Sequence, residues 1–236
     1  MDILSLFEKL PREFVWKIIE FAPEAVRNLR QTSSTIKSHV NEYAKQPVTV
    51  PLVDEMFLFG SRGCKPPNHL MIELDIPYGK SHLFELRWKF RKAPQISFIQ
   101  RVEDDFNNKV SYTIKMTAED NHRAILEFLG ECAGGRVGKA TINCEDHKFT
   151  TASRLLEGLK FDRFHVTART LTDEILNRIL GIISSRKVYE FSLYAGNSSA
   201  SDPALFLRQA STFVRAISIR QQLTLEIDNN FATPFL

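Results

Sequence analysis

The sequence predicts an α+β chain of three regions: a helical segment over 1–45, an antiparallel β region over 46–106 and β/α repeats over 107–236, the repeats continuous with the β region. Three observations carry this. Apolar residues recur at helical spacing between Leu10 and Tyr43, the period changes to two near Leu70, and short apolar strands recur every mid-twenties residues after Lys109.

Pro11 stands where a helix begins, where a missing N–H costs nothing, and Glu13 falls in the positive first turn. Phe14, Val15, Ile18, Ile19 and Ala22 follow at helical spacing, and Pro23 ends that helix and opens another marked by Val26 and Leu29. Ser33 or Ser34 caps a third, striped by Ile36, Val40 and Tyr43. Three helices in so short a segment seldom hold a core alone. They must pack on the rest of the chain or on a partner.

Val48–Val53 and Met56–Phe59 read as weak strands. Leu70, Ile72, Leu74 and Ile76 alternate with polar residues, and after a turn at 77–81 so do Phe84, Leu86, Trp88 and Phe90. The expectation is a hairpin with one buried and one wet face, Glu73 and Asp75 facing Arg87 and Lys89 across it. Residues 96–100 add another strand. The basic run through Arg87, Lys89, Arg91 and Lys92 is not read as a nucleic-acid site, because its aromatics alternate away from the bases.

The repeat strands centre on Ile114, Ile142, Val166, Leu193 and Ile219, in steps of 28, 24, 27 and 26 residues. One strand and one helix per unit at that period suggests a leucine-rich-repeat-like solenoid, without the standard repeat letters. Thr117 and Asp120 start its first helix and Gly130 ends it; a shorter one spans about 151–159; Thr172 caps a third between Leu171 and Leu176; Asp202-Pro203 opens a fourth. Leu223, Leu225 and Ile227 form a last edge strand. The strand residues flanking the inward ones face out: Thr113 and Lys115, Thr141 and Asn143, His165 and Thr167, Ser192 and Tyr194, Ser218 and Arg220. His165, Tyr194 and Arg220 are the candidate recognition residues, since aromatic and Arg side chains dominate interface hot spots.

No catalytic, cofactor or metal signature stands out, and the expectation is a non-enzymatic protein. "AGGRVGKA", 133–140, ends like a phosphate-binding loop, but Ala133 stands where that loop needs Gly and Ala140 where it needs Ser or Thr. It reads as a helix-to-strand turn. Cys144, Asp146 and His147 cluster without the second pair a tetrahedral site requires. Cys64, Cys132 and Cys144 form no disulfide framework, so a reducing compartment, cytoplasm or nucleus, is expected. A net charge of +3 gives no reason to expect nucleic-acid binding, and no apolar run reaches membrane-spanning length. The 43% hydrophobic content suffices for a sizeable core.

The amino-terminal stretch resembles an F-box: Leu10-Pro11, the pair Ile18-Ile19, the Ala22-Pro23 linker, Leu29-Arg30 and Thr32-Ser33 match that motif in order and spacing. Ile36 stands where many members carry a tryptophan. A divergent F-box before a β-rich and then a β/α region is similar to the large nematode F-box families. The resemblance implies a substrate-recognition subunit of a cullin–RING ubiquitin ligase, docked on a Skp-type adaptor and its cullin complex and presenting a protein substrate. It implies adaptor contact at Leu10, Pro11, Phe14, Ile18, Ile19, Val26 and Leu29. The alternative is a non-catalytic interaction protein whose F-box-like helices are structural only. A site assembled from the β/α loops would make it an enzyme, on fold analogy alone.

Overall fold

A computed structural model of the chain describes residues 9–46, 51–60, 70–96, 98–117, 121–144, 149, 152–154, 156, 159–186 and 188–221. Helix α1 (Arg12–Phe21) starts after Pro11 and stops before Pro23, which opens a 3-10 turn, Pro23–Ala25. Helix α2 (Val26–Thr32) and α3 (Ser34–Lys45) follow, and the Ser33 side chain caps α3 by accepting from the Ile36 N–H at 3.3 Å.

Val15, Ile19, Val26, Leu29, Ile36, Val40 and Ala44 turn inward and form one cluster. The cluster is closed by Leu83 and Leu86 of helix α4 (Tyr78–Phe90). The amino-terminal helices therefore complete their core within the chain.

Helix α4 corrects the expected hairpin: residues 84–90 are helical, not a second strand. The cause is burial on two sides. Phe84 belongs to the core of the sheet, while Leu83 and Leu86 belong to the helical cluster. A helix apolar around most of its circumference loses its 3.6-residue stripe, and Phe84, Leu86, Trp88 and Phe90 then mimic a strand. Arg87 does not face water. It is 2% exposed, and its guanidinium donates to the carbonyls of Gln46 (2.7 Å), Glu131 (3.0 Å) and Cys132 (3.1 Å). Asp75 instead meets Lys109 at 2.7 Å and Ser111 at 2.6 Å.

Among the described residues eight strands form one mixed sheet: β1 (Val53–Gly60), β2 (Leu70–Pro77), β3 (Phe98–Asp104), β4 (Lys109–Met116), β5 (Arg136–Cys144), β6 (Lys160–Leu171), β7 (Glu190–Ser198) and β8 (Ala216–Gln221). Their order is β3-β4-β2-β1-β5-β6-β7-β8. Pairing is antiparallel from β3 to β1 and parallel from β1 to β8. The strand on Ile114 is thus not a member of the parallel set. As β4 it pairs antiparallel with β2 and β3, and β1 holds the place beside β5.

One row crosses the whole sheet in register: Ile99, Ile114, Ile72, Leu58, Ile142, Val166, Leu193, Ile219. From Ile114 to Leu193 none of its members is more than 2% exposed. Against this face pack α4, α5 (His122–Ala133), α6 (Asp173–Arg186) and α7 (Pro203–Ala210), through Phe84, Ile125, Phe128, Ile175, Ile179 and Phe206 among others. Trp88 meets Phe128 edge-on at 4.6 Å between centroids and Phe84 lies 5.5 Å from Tyr112, geometry worth about 0.5–1.5 kcal/mol per pair beyond area burial.

Helix boundaries follow local chemistry. Asn121, not Thr117, caps α5 by accepting from the Ala124 N–H at 3.1 Å; Asp120 lies outside the described residues. The helix runs past Gly130 to Ala133. Gly134 (φ 79°) and Gly135 (φ 74°) then take left-handed backbone, their N–H groups reaching Glu131 and Gly130. This two-glycine C-cap feeds straight into β5, so "AGGRVGKA" is a helix-to-strand turn. Thr172 caps α6 through the Ile175 N–H at 3.3 Å and Asp202 caps α7 through Leu205 at 2.8 Å. Cys64, Asp146, His147 and the expected strand at 223–227 lie outside the described residues, as do parts of the expected 151–159 helix.

Candidate functional site

Two surfaces are built by these elements. The first is the outer face of α1. Phe14, Ile18 and Phe21 stand at i, i+4 and i+7, one side of the helix. Phe14 is 60% exposed and Phe21 89% exposed, while Ile18 is half-buried against the helical cluster. The inward side carries Val15 and Ile19, both fully buried.

The seven residues read as adaptor contacts therefore divide. Ile19, Val26 and Leu29 pack inside the chain. Leu10 and Ile18 are half-buried, and Pro11 and Phe14 are exposed. Phe21, the most exposed apolar side chain of the helix, was not among the seven. Its position seven residues after Phe14 is the signal that finds it.

The second surface is the sheet face opposite the described helices. Alternation sends every second strand residue there, and the parallel register aligns them into rows. Glu55, Lys139, Arg163 and Glu190 stand side by side; next come Phe57, Thr141, His165, Ser192 and Ser218; then Phe59, Asn143, Thr167, Tyr194 and Arg220. His165 and Tyr194 share this face, one strand and one row apart, and Arg220 on β8 is the register partner of Tyr194.

On the antiparallel side Glu55, Glu73 and Asp75 gather, with Asp75 held by Lys109 and Ser111. Glu55 receives Lys139 Nζ at 2.7 Å and the Thr141 hydroxyl at 2.9 Å. Lys139 also lies 5.8 Å above the Phe57 ring. Burial, then the neighbouring Asp75, raises the Glu73 carboxyl above its ordinary pKa. Burial, then Lys139, lowers that of His165, whose Nε2 lies 3.3 Å from the Thr167 hydroxyl.

On β6 the face reads Arg163, His165, Thr167, Arg169 at every second position. Arg163 and Arg169 are exposed and make no ion pair among the described residues. These two arginines were missed from sequence, though "RFHVTAR" alternates base or hydroxyl with apolar residues throughout.

Among the described residues no three His, Cys, Asp or Glu side chains are placed to hold a metal, and no helix is long and apolar enough to cross a membrane. Cys132 is fully buried under Arg87, its thiol pushed up by burial to about 12, and is inert as a nucleophile at neutral pH. Comparison with protein-family models, with curated proteins and with solved structures finds no match for this chain.

Proposed function

We propose that this chain is the substrate-recognition subunit of an SCF-type cullin–RING ubiquitin ligase, cytoplasmic or nuclear, without an active site of its own. The F-box-like helices dock on a Skp-type adaptor, and the leucine-rich-repeat-like half of the sheet, β5–β8 with α6 and α7, presents a protein substrate. The observation that carries the reading is the exposed Phe14–Phe21 face of α1. It lies on a helical unit whose core is already complete and whose sequence matches the motif. Two exposed phenylalanines on one helix face are an unpartnered apolar surface suited to a helix-binding groove.

A second reading has its own support. Leu83 and Leu86 close the core of the amino-terminal helices, as expected of a non-catalytic interaction protein in which those helices are structural only. Capture of the full chain by a purified Skp-type adaptor with its cullin separates the two. The chain should be captured, and the Phe14→Asp/Phe21→Asp variant should not, with an unchanged dichroism spectrum. No capture of either supports the structural reading, and equal capture of the folded variant means that the Phe14–Phe21 face is not the docking surface.

A further inference from the structure

The geometry points to the face of β5–β7 opposite the described helices as the docking site for an extended, carboxylate-rich segment of a protein partner, laid along β6 between the exposed Arg163 and Arg169. This deepens the substrate-presenting role above and rests on it only for the partner's identity as a substrate; the surface itself does not depend on the adaptor.

Three features select this occupant. The first is the cation placement. Arg163 and Arg169 are exposed, without ion-pair partners among the described residues, and share one face six residues apart. At about 3.3 Å per strand residue they stand about 20 Å apart, the length of roughly six residues of extended chain. Arginine guanidinium pairs with carboxylates in a two-pronged geometry that lysine lacks. Here two such forks stand at the ends of a track lined by the imidazole of His165 and the hydroxyl of Thr167.

The second feature is the rim. Glu190, Ser192 and Tyr194 flank the track on β7, Glu190 in register with Arg163 at one end, and Gly196, beside Arg169, adds no side chain at the other. On the other side Glu55 neutralises Lys139 at 2.7 Å, and Glu73 and Asp75 lie beyond it. An acidic ligand finds unpaired cations over β6, with Glu190 beside Arg163, whereas past β5 Lys139 and Lys109 are already paired with Glu55 and Asp75. The boundary confines it to a strip about three strands, or about 10 Å, wide.

The third feature argues against a nucleic acid. A single strand needs aromatic rings open for stacking beside the bases. Of the rings beside this track, Phe57 already has Lys139 over it, and Tyr194 is half-buried, so neither offers a fully open face to a base. The acidic residues of β1 and β2 would face a phosphate backbone running across the sheet.

The test is fluorescence anisotropy with the full chain at low salt, using a fluorescein-labelled octaglutamate peptide. Its partners in the experiment are a Ser/Gln peptide of the same length and an eight-nucleotide oligothymidine. The glutamate peptide should bind, weaken as salt rises, and lose about tenfold or more in affinity in Arg163→Glu/Arg169→Glu. The control Arg27→Glu/Arg208→Glu makes the same net charge change on exposed helix positions and should lose far less. Should a charge reversal disturb folding, Arg163→Gln/Arg169→Gln repeats the test without like-charge crowding. Equal binding of the Ser/Gln peptide, equal loss in the control pair, or tighter binding of the oligothymidine overturns the proposal, the last in favour of a nucleic acid. The Arg163/Arg169 variant should still be captured by the adaptor, and Phe14→Asp/Phe21→Asp should still bind the peptide, so either reading can fail alone.

Discussion

The guanidinium of Arg87 and the carbonyl of Gln46 lie 2.7 Å apart, and this contact ties the end of α3 to α4. The same side chain holds the Glu131 and Cys132 carbonyls at the end of α5. A cation thus sits at the negative ends of two helices, α3 and α5. Burial draws its pKa below the ordinary arginine value, yet the group stays charged. Arg87→Met takes the donor from three carbonyls; the one on Cys132 is buried and costs about 1–3 kcal/mol if left unpaired, while those on Gln46 and Glu131 are part-buried and within reach of water. A loss of about 1–3 kcal/mol in urea unfolding is expected. Arg87→Lys should recover only part, because an ammonium cannot reach three carbonyls in a planar fork. A loss under about 1 kcal/mol in Arg87→Met would show that the contacts do not bind the two units together.

Adjacent residues of α4 serve different cores. Leu83 is 2% exposed in the helical cluster and Phe84 fully buried against the sheet. Leu83→Ala should cost about 2–5 kcal/mol and Phe84→Ala about 3–5 kcal/mol. Hydrogen exchange distinguishes them. Leu83→Ala should speed exchange first in α1–α3, and Phe84→Ala first in α4, β4 and α5. The same exchange pattern in both variants would mean that the two clusters open as one unit.

How far the sequence reveals this fold depends on how many sides of an element are buried. The β5–β8 strands are flanked by polar residues at every second position, and their four expected centres, Ile142, Val166, Leu193 and Ile219, turn out to be register partners. Ser33, Thr172 and Asp202 cap the helices they were expected to cap, since capping is local. Helix α4 was illegible because Leu83, Phe84 and Leu86 answer to two different cores. The strand on Ile114 was read correctly as a strand, but its antiparallel pairing is a long-range property that periodicity does not carry. On the candidate surfaces, the half-exposed side of β6 and β7 was legible for His165 and Tyr194. The separation of α1 into an inward Ile19 and an outward Phe14 needed the position of α4.

Gly138 marks the seam between the parallel and antiparallel halves. A Cβ there would lie 2.7 Å from the Asp54 carbonyl oxygen, a backbone atom that cannot swing aside. Gly138→Ala must push β5 away from β1, at a cost of about 1–3 kcal/mol typical of overpacking. Gly181 on α6 has open space around its Cβ position, and Gly181→Ala should stabilise by about 0.4–1 kcal/mol through the unfolded chain. Thermal unfolding of the two variants checks both signs. Equal stability of Gly138→Ala and wild type would mean that the seam yields without cost.

The open face also sets a pH response, in two opposed parts. His165 has a folded pKa below its ordinary 6.5 because burial and Lys139 disfavour the imidazolium, with Glu55 opposing them. Above pH 6.5 the ring is neutral in both states, and its contribution to stability is complete. As pH falls below 6.5 the unfolded chain takes up the proton first, so stability declines until the folded pKa is passed. Glu73 runs the other way. Its folded pKa lies above 4.5 through burial and Asp75, so its contribution is full below 4.5 and is lost as pH rises through the raised value. Glu73→Gln should therefore raise Tm at pH 7, with the gain shrinking on acidification; screening at this half-exposed site keeps the gain small. His165→Gln should flatten the decline below pH 6.5. A Glu73→Gln protein less stable than wild type at pH 7 would mean that the carboxylate holds a favourable partner on the open face, and the acidic boundary beside β5 would then be an attractive site in its own right.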